Sequence, residues 1–281
     1  MNTEQGAGIL LVEDNPLTLQ ALIEYLHKLQ LRPIVAHNGE EALRQAREEK
    51  PDLILMDVML PGMDGYEICE TFKANMTTRD IPIIFLTALA DTESKVKAYE
   101  AGGVDYITKP FDFREVAARI QMRLSLLSLQ KRLKTKQSVM GGSGSLSKNT
   151  QNTRILIVDD NQLTIEAIRA YLETFGFTIL TASSGDEIVN NMPAPLPDLI
   201  LLDVMMPGKD GYETCRWLKR NHPTRDIPVI FMTSLAEMED KVKAFGAGGS
   251  DYIMKPHHYA EVLNRVNTHL TIQTLQRQLR K

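Results

Sequence analysis

Charged and hydroxyl side chains follow short apolar runs of this sequence, and their types could support phosphoryl chemistry. In the amino-terminal half, Glu13 and Asp14 follow one run, Asp57 a second, Thr87 a third and Lys109 a fourth. The same order recurs 146 residues further on. The counterparts are Asp159, Asp160, Asp203, Thr233 and Lys255.

Three carboxylates brought together repel each other unless a cation or a proton relieves them. Mg²⁺ suits such oxygen ligands, because it takes one or two carboxylates and keeps waters for a phosphate ligand. A carboxylate can also act as a nucleophile and form an acyl phosphate. A metal and a lysine would neutralise the phosphoryl oxygens, and a hydroxyl would hydrogen-bond one of them. The set predicts Mg²⁺-assisted phosphoryl transfer onto an aspartate, with one Mg²⁺ in each half.

The elements that must position these residues are indicated by hydrophobic periodicity. Between short unalternating runs, which are typical of strands buried on both faces, apolar residues recur at the spacings of three and four that favour helices. Alternating strands and helices predict an α/β fold with a parallel sheet and right-handed crossovers. The site then lies at the carboxyl ends of the strands. In the first half the predicted strands are Ile9–Val12, Ile34–Ala36, Leu53–Met56, Ile83–Leu86 and Tyr106–Thr108.

The sequence repeats a whole domain. PDLILMDVMLPGMDGYEIC at 51–69 recurs as PDLILLDVMMPGKDGYETC at 197–215. A period of 146 residues is too long for a solenoid, whose repeats run to about 50 residues. At roughly 150 residues per domain, a chain of 281 residues also predicts two domains.

Composition excludes several classes of protein. A net charge of -4 argues against a globally basic nucleic-acid binder, so we expect no direct nucleic-acid binding. The sequence shows neither a membrane-length apolar run nor a signal-peptide pattern, which predicts a cytoplasmic protein without a membrane partner. Two cysteines exclude a disulfide-stapled fold. We expect Cys69 and Cys215, at matching helix positions, to pack in the core.

At the predicted strand ends, both halves resemble the receiver domain of two-component response regulators. This resemblance implies two flavodoxin-like (βα)5 three-layer domains with strand order 2-1-3-4-5 and extended C-terminal helices. The matching segments are VEDN at 12–15 and VDDN at 158–161, DVMLPGMDG at 57–65 and DVMMPGKDG at 203–211, LTA at 86–88 and MTS at 232–234, and DYITKP at 105–110 and DYIMKP at 251–256.

The resemblance also implies a role for each matching position. Asp57 and Asp203 would be the phosphoacceptors. Lys109, Lys255, Thr87 and Thr233 would bind the phosphoryl group, and the threonines would form a switch with Tyr106 and Tyr252, which would rotate inward. The metal ligands would be Glu13, Asp14, Asp57 and the Met59 carbonyl in one half, and Asp159, Asp160, Asp203 and the Met205 carbonyl in the other. Many relatives have Asp where this sequence has Glu13, and we expect retained Mg²⁺ binding because the charge is kept. The Lys-Pro bonds of both halves are expected to be cis.

We place the first domain at 7–126 and the second at 153–272. A helix extension and Gly/Ser-rich linker join them at 127–152, and a second helix extension occupies 273–281. Each extension carries leucine or isoleucine at alternating spacings of three and four, which suits packing on its own domain or a parallel helical dimer. The stretch 116–158 holds eight Lys or Arg and no acid, and suits a solvated basic helix and linker better than a nucleic-acid or anionic-surface patch. Proline at 193, 195 and 197 should end the second helix of the second copy early.

The favoured function is a tandem-receiver response regulator of a phosphorelay. It would accept phosphoryl groups from a sensor histidine kinase or a histidine phosphotransfer protein, and would not itself be an enzyme beyond its own phosphorylation and dephosphorylation. Phosphorylation would control a partner, a downstream output, or a homodimer formed through the helical tails or the face of the fourth helix, fifth strand and fifth helix. One alternative is a scaffold in which only one copy is phosphorylated. A remote one is an aspartyl-nucleophile phosphohydrolase, disfavoured because Met59 and Met205 stand where a second acid is needed.

Overall fold

The chain divides into two compact units, Met1–Ser128 and Leu129–Lys281. The computed structural model describes residues 6–88, 97–140, 152–234 and 238–280, without side chains at 134, 136–140, 238–241 and 280. Most of the predicted Gly/Ser-rich linker, residues 141–151, lies outside the described part of the chain. The domain boundaries predicted at 126 and 153 stay a prediction.

The first unit alternates strands with helices, as the periodicity predicts. Its strands are β1 (Gly8–Val12), β2 (Arg32–Ala36), β3 (Leu53–Asp57), β4 (Ile83–Thr87) and β5 (Asp105–Thr108). Its helices are α1 (Pro16–Lys28), α2 (Gly39–Glu49), α3 (Gly65–Ala74), α4 (97–100) and α5 (Phe113–Met140).

The second unit repeats this order. Its strands are β6 (Arg154–Val158), β7 (Thr178–Ala182), β8 (Leu199–Asp203), β9 (Val229–Thr233) and β10 (Asp251–Met254). Its helices are α6 (Gln162–Glu173), α7 (Gly185–Asn190), α8 (Gly211–Arg220), α9 (Met238–Gly246) and α10 (Tyr259–Arg280).

Each unit contains one five-stranded sheet, in the orders β2-β1-β3-β4-β5 and β7-β6-β8-β9-β10. Every strand pair is parallel, so the predicted α/β class and strand order are confirmed. Strands β1, β3, β4, β8 and β9 are buried along their whole length, since helices cover both faces. Two apolar clusters in each unit, one on each side of the sheet, make the three-layer core.

The two units differ most at their second helix. Helix α2 has 11 residues, whereas α7 has six and ends three residues before Pro193. This confirms the early stop, which follows because proline lacks an amide hydrogen and disfavours helix in the residue before it. The helices α5 and α10 are 28 and 22 residues long, which confirms the predicted extended C-terminal helices.

Within the described residues, no helix is both long and apolar enough to cross a lipid bilayer.

Candidate functional site

In the first unit, three carboxylates meet at the carboxyl edge of the sheet. Glu13 directly follows β1, and Asp57 is the last residue of β3, the neighbouring strand. One oxygen from each of Glu13, Asp14 and Asp57 lies within 4.8 Å of the others. Glu13 and Asp57 are buried, while Asp14 is exposed. The cluster therefore has a buried floor and one ligand at its open rim.

The second unit builds the same cluster from Asp159, Asp160 and Asp203. Their carboxylate oxygens also lie within 4.8 Å of one another, with the first and third buried and the second exposed. The parallel register explains the repetition, because β6 pairs directly with β8 as β1 pairs with β3. The sequence-predicted acidic residues are thus brought together twice.

A lysine after the fifth strand spans the carboxylates of the first unit. The Lys109 Nζ lies 2.8 Å from the Glu13 carboxylate and 2.6 Å from that of Asp57. Burial lowers the pKa of Lys109, but hydrogen bonds to Asp57 and Glu13 outweigh it and raise that pKa above its ordinary value. Burial raises the pKa of Glu13, and the hydrogen bond from Lys109 offsets part of this rise. The ammonium group therefore relieves the repulsion of two buried acids.

Lys255 makes the equivalent contacts in the second unit. Its Nζ lies 2.8 Å from Asp159 and 3.1 Å from Asp203. Burial raises the pKa of Asp203, while the charge of Lys255 counteracts that rise. Burial also lowers the pKa of Lys255, and its bonds to the two acids more than reverse this. Each cluster is therefore partly neutralised by its own lysine, whose ammonium group is fixed between two of the acids.

The extra methylene of Glu13 is absorbed without loss of contacts. Glu13 Oε1 accepts the Asn15 N–H at 3.2 Å, and Asp159 Oδ1 accepts the Asn161 N–H at 2.9 Å. The second oxygen of each acid lies 2.8 Å from its lysine. Glu13 thus serves the same two partners as Asp159.

The loop after each phosphoacceptor candidate is held close to it. The Met59 N–H donates to Asp57 Oδ1 at 3.1 Å, and Gly65, at the start of α3, donates to Val58 O at 2.9 Å. A Cβ on Gly65 would lie 2.3 Å from Asp57 O, and one on Gly211 would lie 2.2 Å from Asp203 O. These glycines are needed for close approach. Their sequence signal, a glycine opening the helix after an Asp N-cap, can also be read as an ordinary turn.

The predicted switch residues lie inside each unit. Thr87 and Thr233 are the last residues of β4 and β9, and both are buried. The backbone carbonyl of Thr87 accepts the N–H of Lys109, and that of Thr233 accepts the N–H of Lys255, both at 2.7 Å. The rings of Tyr106 and Tyr252 are also buried, against Tyr99 and Phe245 respectively. Both rings thus already point into the domain, and the predicted rotation stays a prediction. Both Lys-Pro bonds are cis, as expected.

The donor set fits a hard divalent cation. Carboxylate oxygens from two buried acids and one exposed acid can reach a single point in each unit. Oxygen ligands with one side open to water are what Mg²⁺ prefers. Each unit can therefore hold one such ion, next to the lysine that would face a bound phosphoryl group.

The open cleft of about 530 Å³ in the second unit is a different place. It lies at the amino edge of the sheet, between Arg154, Asp198, Asp226 and Arg277. Its charges are partly paired within the walls, since Arg277 lies 3.5 Å from Asp198 and Arg154 Nε donates to Leu196 O. The cleft has no part in the acidic clusters.

The fold and the two acidic clusters are those of a signalling domain, and sequence comparison agrees. The model of the response regulator receiver domain family matches residues 9–121 and 155–267. The chain belongs to this family and contains two receiver domains of two-component systems in tandem.

Individual relatives support the same assignment. The chain is 29% identical over 271 residues to the response regulator PleD of Caulobacter vibrioides, covering 94% of this chain and 59% of the relative. It is 42% identical over 113 residues to the phosphate regulon transcriptional regulatory protein PhoB of Escherichia coli, covering 40% of this chain and 49% of the relative. The chain thus spans about three fifths of the first and half of the second.

A solved structure of a receiver is also similar to part of the chain. It is the receiver domain of a sensor histidine kinase from Pseudomonas aeruginosa, crystallised with magnesium coordinated in its active-site cleft. The identity is 38%, over 41% of this chain and 95% of the other, with a TM-score of 0.39.

Proposed function

We propose that each receiver is a phosphoacceptor of a phosphorelay, with Asp57 and Asp203 as the accepting residues. The observation that supports this most directly is the double contact of the site lysine. Lys109 Nζ bonds both Asp57 and Glu13, and Lys255 Nζ contacts both Asp203 and Asp159. An ammonium group fixed beside a buried carboxylate is placed to neutralise charge on a phosphoryl group bound there.

The proposed reaction is a displacement at phosphorus. One Asp57 oxygen attacks the phosphorus of a phosphohistidine, the O–P bond forms, and the P–N bond to the donor imidazole breaks. The Lys109 ammonium group then donates its hydrogen bond to an incoming phosphoryl oxygen and no longer to Asp57. A bound Mg²⁺, held by Glu13, Asp14, Asp57 and the Met59 carbonyl, would supply further neutralisation of the phosphoryl charge. In the second receiver, Asp159, Asp160, Asp203 and the Met205 carbonyl would hold the ion.

The proposed signal is a movement of the threonines. Thr87 and Thr233 end strands next to the phosphoacceptor strands, so their hydroxyl groups can bond a phosphoryl oxygen after a small shift. The buried positions of Tyr106 and Tyr252 are the ones that such a shift favours. We propose that this changes the face of the fourth helix, fifth strand and fifth helix, or the helical tails, and so controls a homodimer, a partner or an output outside this sequence. The donor would be a cytoplasmic histidine kinase or phosphotransfer protein.

The test is phosphorylation of the whole chain by a small phosphodonor with Mg²⁺. We expect label in the unsubstituted protein, about half as much in Asp57→Asn and in Asp203→Asn, and none in the double variant. The label should be labile to base, as an acyl phosphate is. Asp64→Asn, in the α3 N-cap, is a control that should retain full labelling.

The outcomes separate the alternatives. Full labelling of the double variant would contradict the proposal. Loss of all label in only one single variant would favour a scaffold with one active receiver. Multiple-turnover hydrolysis of phosphate esters would favour a phosphohydrolase.

A further inference from the structure

The two receivers differ in how the loop after the phosphoacceptor is held. In the second receiver, Lys209 lies in the loop between β8 and α8, and Asp186 lies in the first turn of α7. Lys209 Nζ lies 3.1 Å from Asp186 Oδ1, and the Lys209 backbone N–H donates to Asp186 Oδ2 at 3.4 Å. One carboxylate therefore contacts both the side chain and the backbone of the same loop residue.

The surrounding backbone is shaped for this contact. Gly208 has φ +79, and a Cβ there would lie 2.5 Å from Asp186 Oδ2. A Cβ on Gly185 would lie 2.0 Å from Thr214 Oγ1 and 2.9 Å from Lys209 O. The start of the short helix α7 is thus packed directly against the loop and against α8.

Among the described residues, the first receiver shows no such contact at the matching positions, Glu40 and Met63. Met63 replaces Lys209, and its side chain is exposed. A Cβ on Gly62 would meet nothing within 4 Å among the described residues. In the second receiver, by contrast, Asp186 lies against the equivalent residue, Gly208. On Gly39, the nearest atoms to a Cβ belong to the flexible Ile68 side chain. The difference is local, because the acidic clusters themselves match closely.

We propose that Asp186 is a positioning residue that acts through Lys209 to hold the metal-binding loop of the second receiver. This rests on the proposed function, in which the Met205 carbonyl of that loop is a Mg²⁺ ligand. Restricting the loop reduces the ordering that metal binding requires, so the tether favours binding. The pair is nearly half exposed, and a contact of this kind is worth a small factor, about two- to fivefold in affinity.

The experiment is a Mg²⁺ titration of the whole chain followed by NMR, with the backbone amides of Met59 and Met205 as separate reporters of the two sites. We expect Asp186→Asn and Lys209→Met each to raise the Mg²⁺ Kd of the second site about two- to fivefold, with the first site unchanged. The double variant should lose little more than the worse single variant, because both remove one contact. Arg169→Met breaks an equally exposed pair with Glu173 on α6 and should change neither Kd.

The signs of the effects discriminate between mechanisms. A tether requires both substitutions to weaken Mg²⁺ binding. A simple charge effect would instead make Lys209→Met strengthen it and Asp186→Asn weaken it, and that result would overturn the proposal. An unchanged Kd in both variants would overturn it as well, even if the melting temperature fell. If neither amide responds to Mg²⁺ in the unsubstituted protein, the proposed function itself fails.

Discussion

Lys109 Nζ lies 2.6 Å from Asp57, whereas the equivalent lysine of the second receiver lies 3.1 Å from Asp203. The first pair belongs to a part-buried bridge that also includes Glu13, and both of its acids are buried. Removing the ammonium group would leave two neighbouring buried acids without their cation, which is costly.

We therefore expect Lys109→Met to lower the free energy of unfolding of the first receiver by about 2 kcal/mol in the presence of a chelator. Urea denaturation at neutral pH measures this. Lys28→Met, at an exposed position in the last turn of α1, should change the free energy by less than about 0.5 kcal/mol. Equal losses in the two variants would show that the bridge is not stabilising.

The charge of Glu13 should matter more for metal binding than its length. Glu13→Asp keeps the carboxylate and copies Asp159, so we expect the Mg²⁺ Kd of the first site to change by less than about threefold. Glu13→Gln removes the charge and should raise the Kd more than about tenfold. Titration followed by the Met59 amide measures both. Similar affinities for the two variants would contradict this reading of Glu13.

Gly211 should not tolerate a side chain. Its Cβ would lie 2.2 Å from Asp203 O and 2.9 Å from Val204 Cα, and backbone cannot yield as a side chain can. We expect Gly211→Ala to destabilise the second receiver by about 1–3 kcal/mol and to reduce phosphorylation of Asp203. Gly246→Ala is the matched control, because a Cβ there meets nothing within 4 Å in the described residues. It should be neutral or stabilising by up to about 1 kcal/mol, and a larger loss than in Gly211→Ala would refute the argument.

The buried cysteines should make stability fall at high pH. Cys69 and Cys215 are fully buried, as expected for core residues, and burial raises the pKa of each thiol to about 11. Unfolded thiols ionise near pH 8.5, so the unfolded state loses protons first and is favoured as pH rises. The stability from each thiol is fully present below about pH 8.5 and is lost as pH rises toward 11.

Over that window each cysteine should contribute a slope of about 1.4 kcal/mol per pH unit. Urea denaturation from pH 8 to 10.5 should therefore show a shallower decline in Cys69→Ala, although its stability at pH 8 is lower. Parallel pH profiles for the variant and the unsubstituted protein would contradict a buried neutral thiol.

The sequence by itself determined the fold class and most of the candidate site. Fully apolar strands such as Leu53–Met56 predict burial on both faces, and an acid placed directly after such a strand must lie at the sheet edge. Because parallel strands share their carboxyl edge, Glu13, Asp57 and Lys109 had to converge wherever the helices packed. The early end of α7 also followed from local chemistry, since proline acts on its own neighbours.

Only the tertiary structure decided the contacts that depend on distances between elements. The close approach of Gly65 to Asp57 O is set by how α3 packs on β3, and a turn glycine has the same sequence pattern. The buried positions of Tyr106 and Tyr252 depend on rotamers that packing selects, which the local sequence does not specify. The contact between Asp186 and Lys209 joins positions 23 residues apart that carry no shared local signal. Local pattern fixes which edge a side chain reaches, whereas packing between helices and loops fixes which neighbour it meets there.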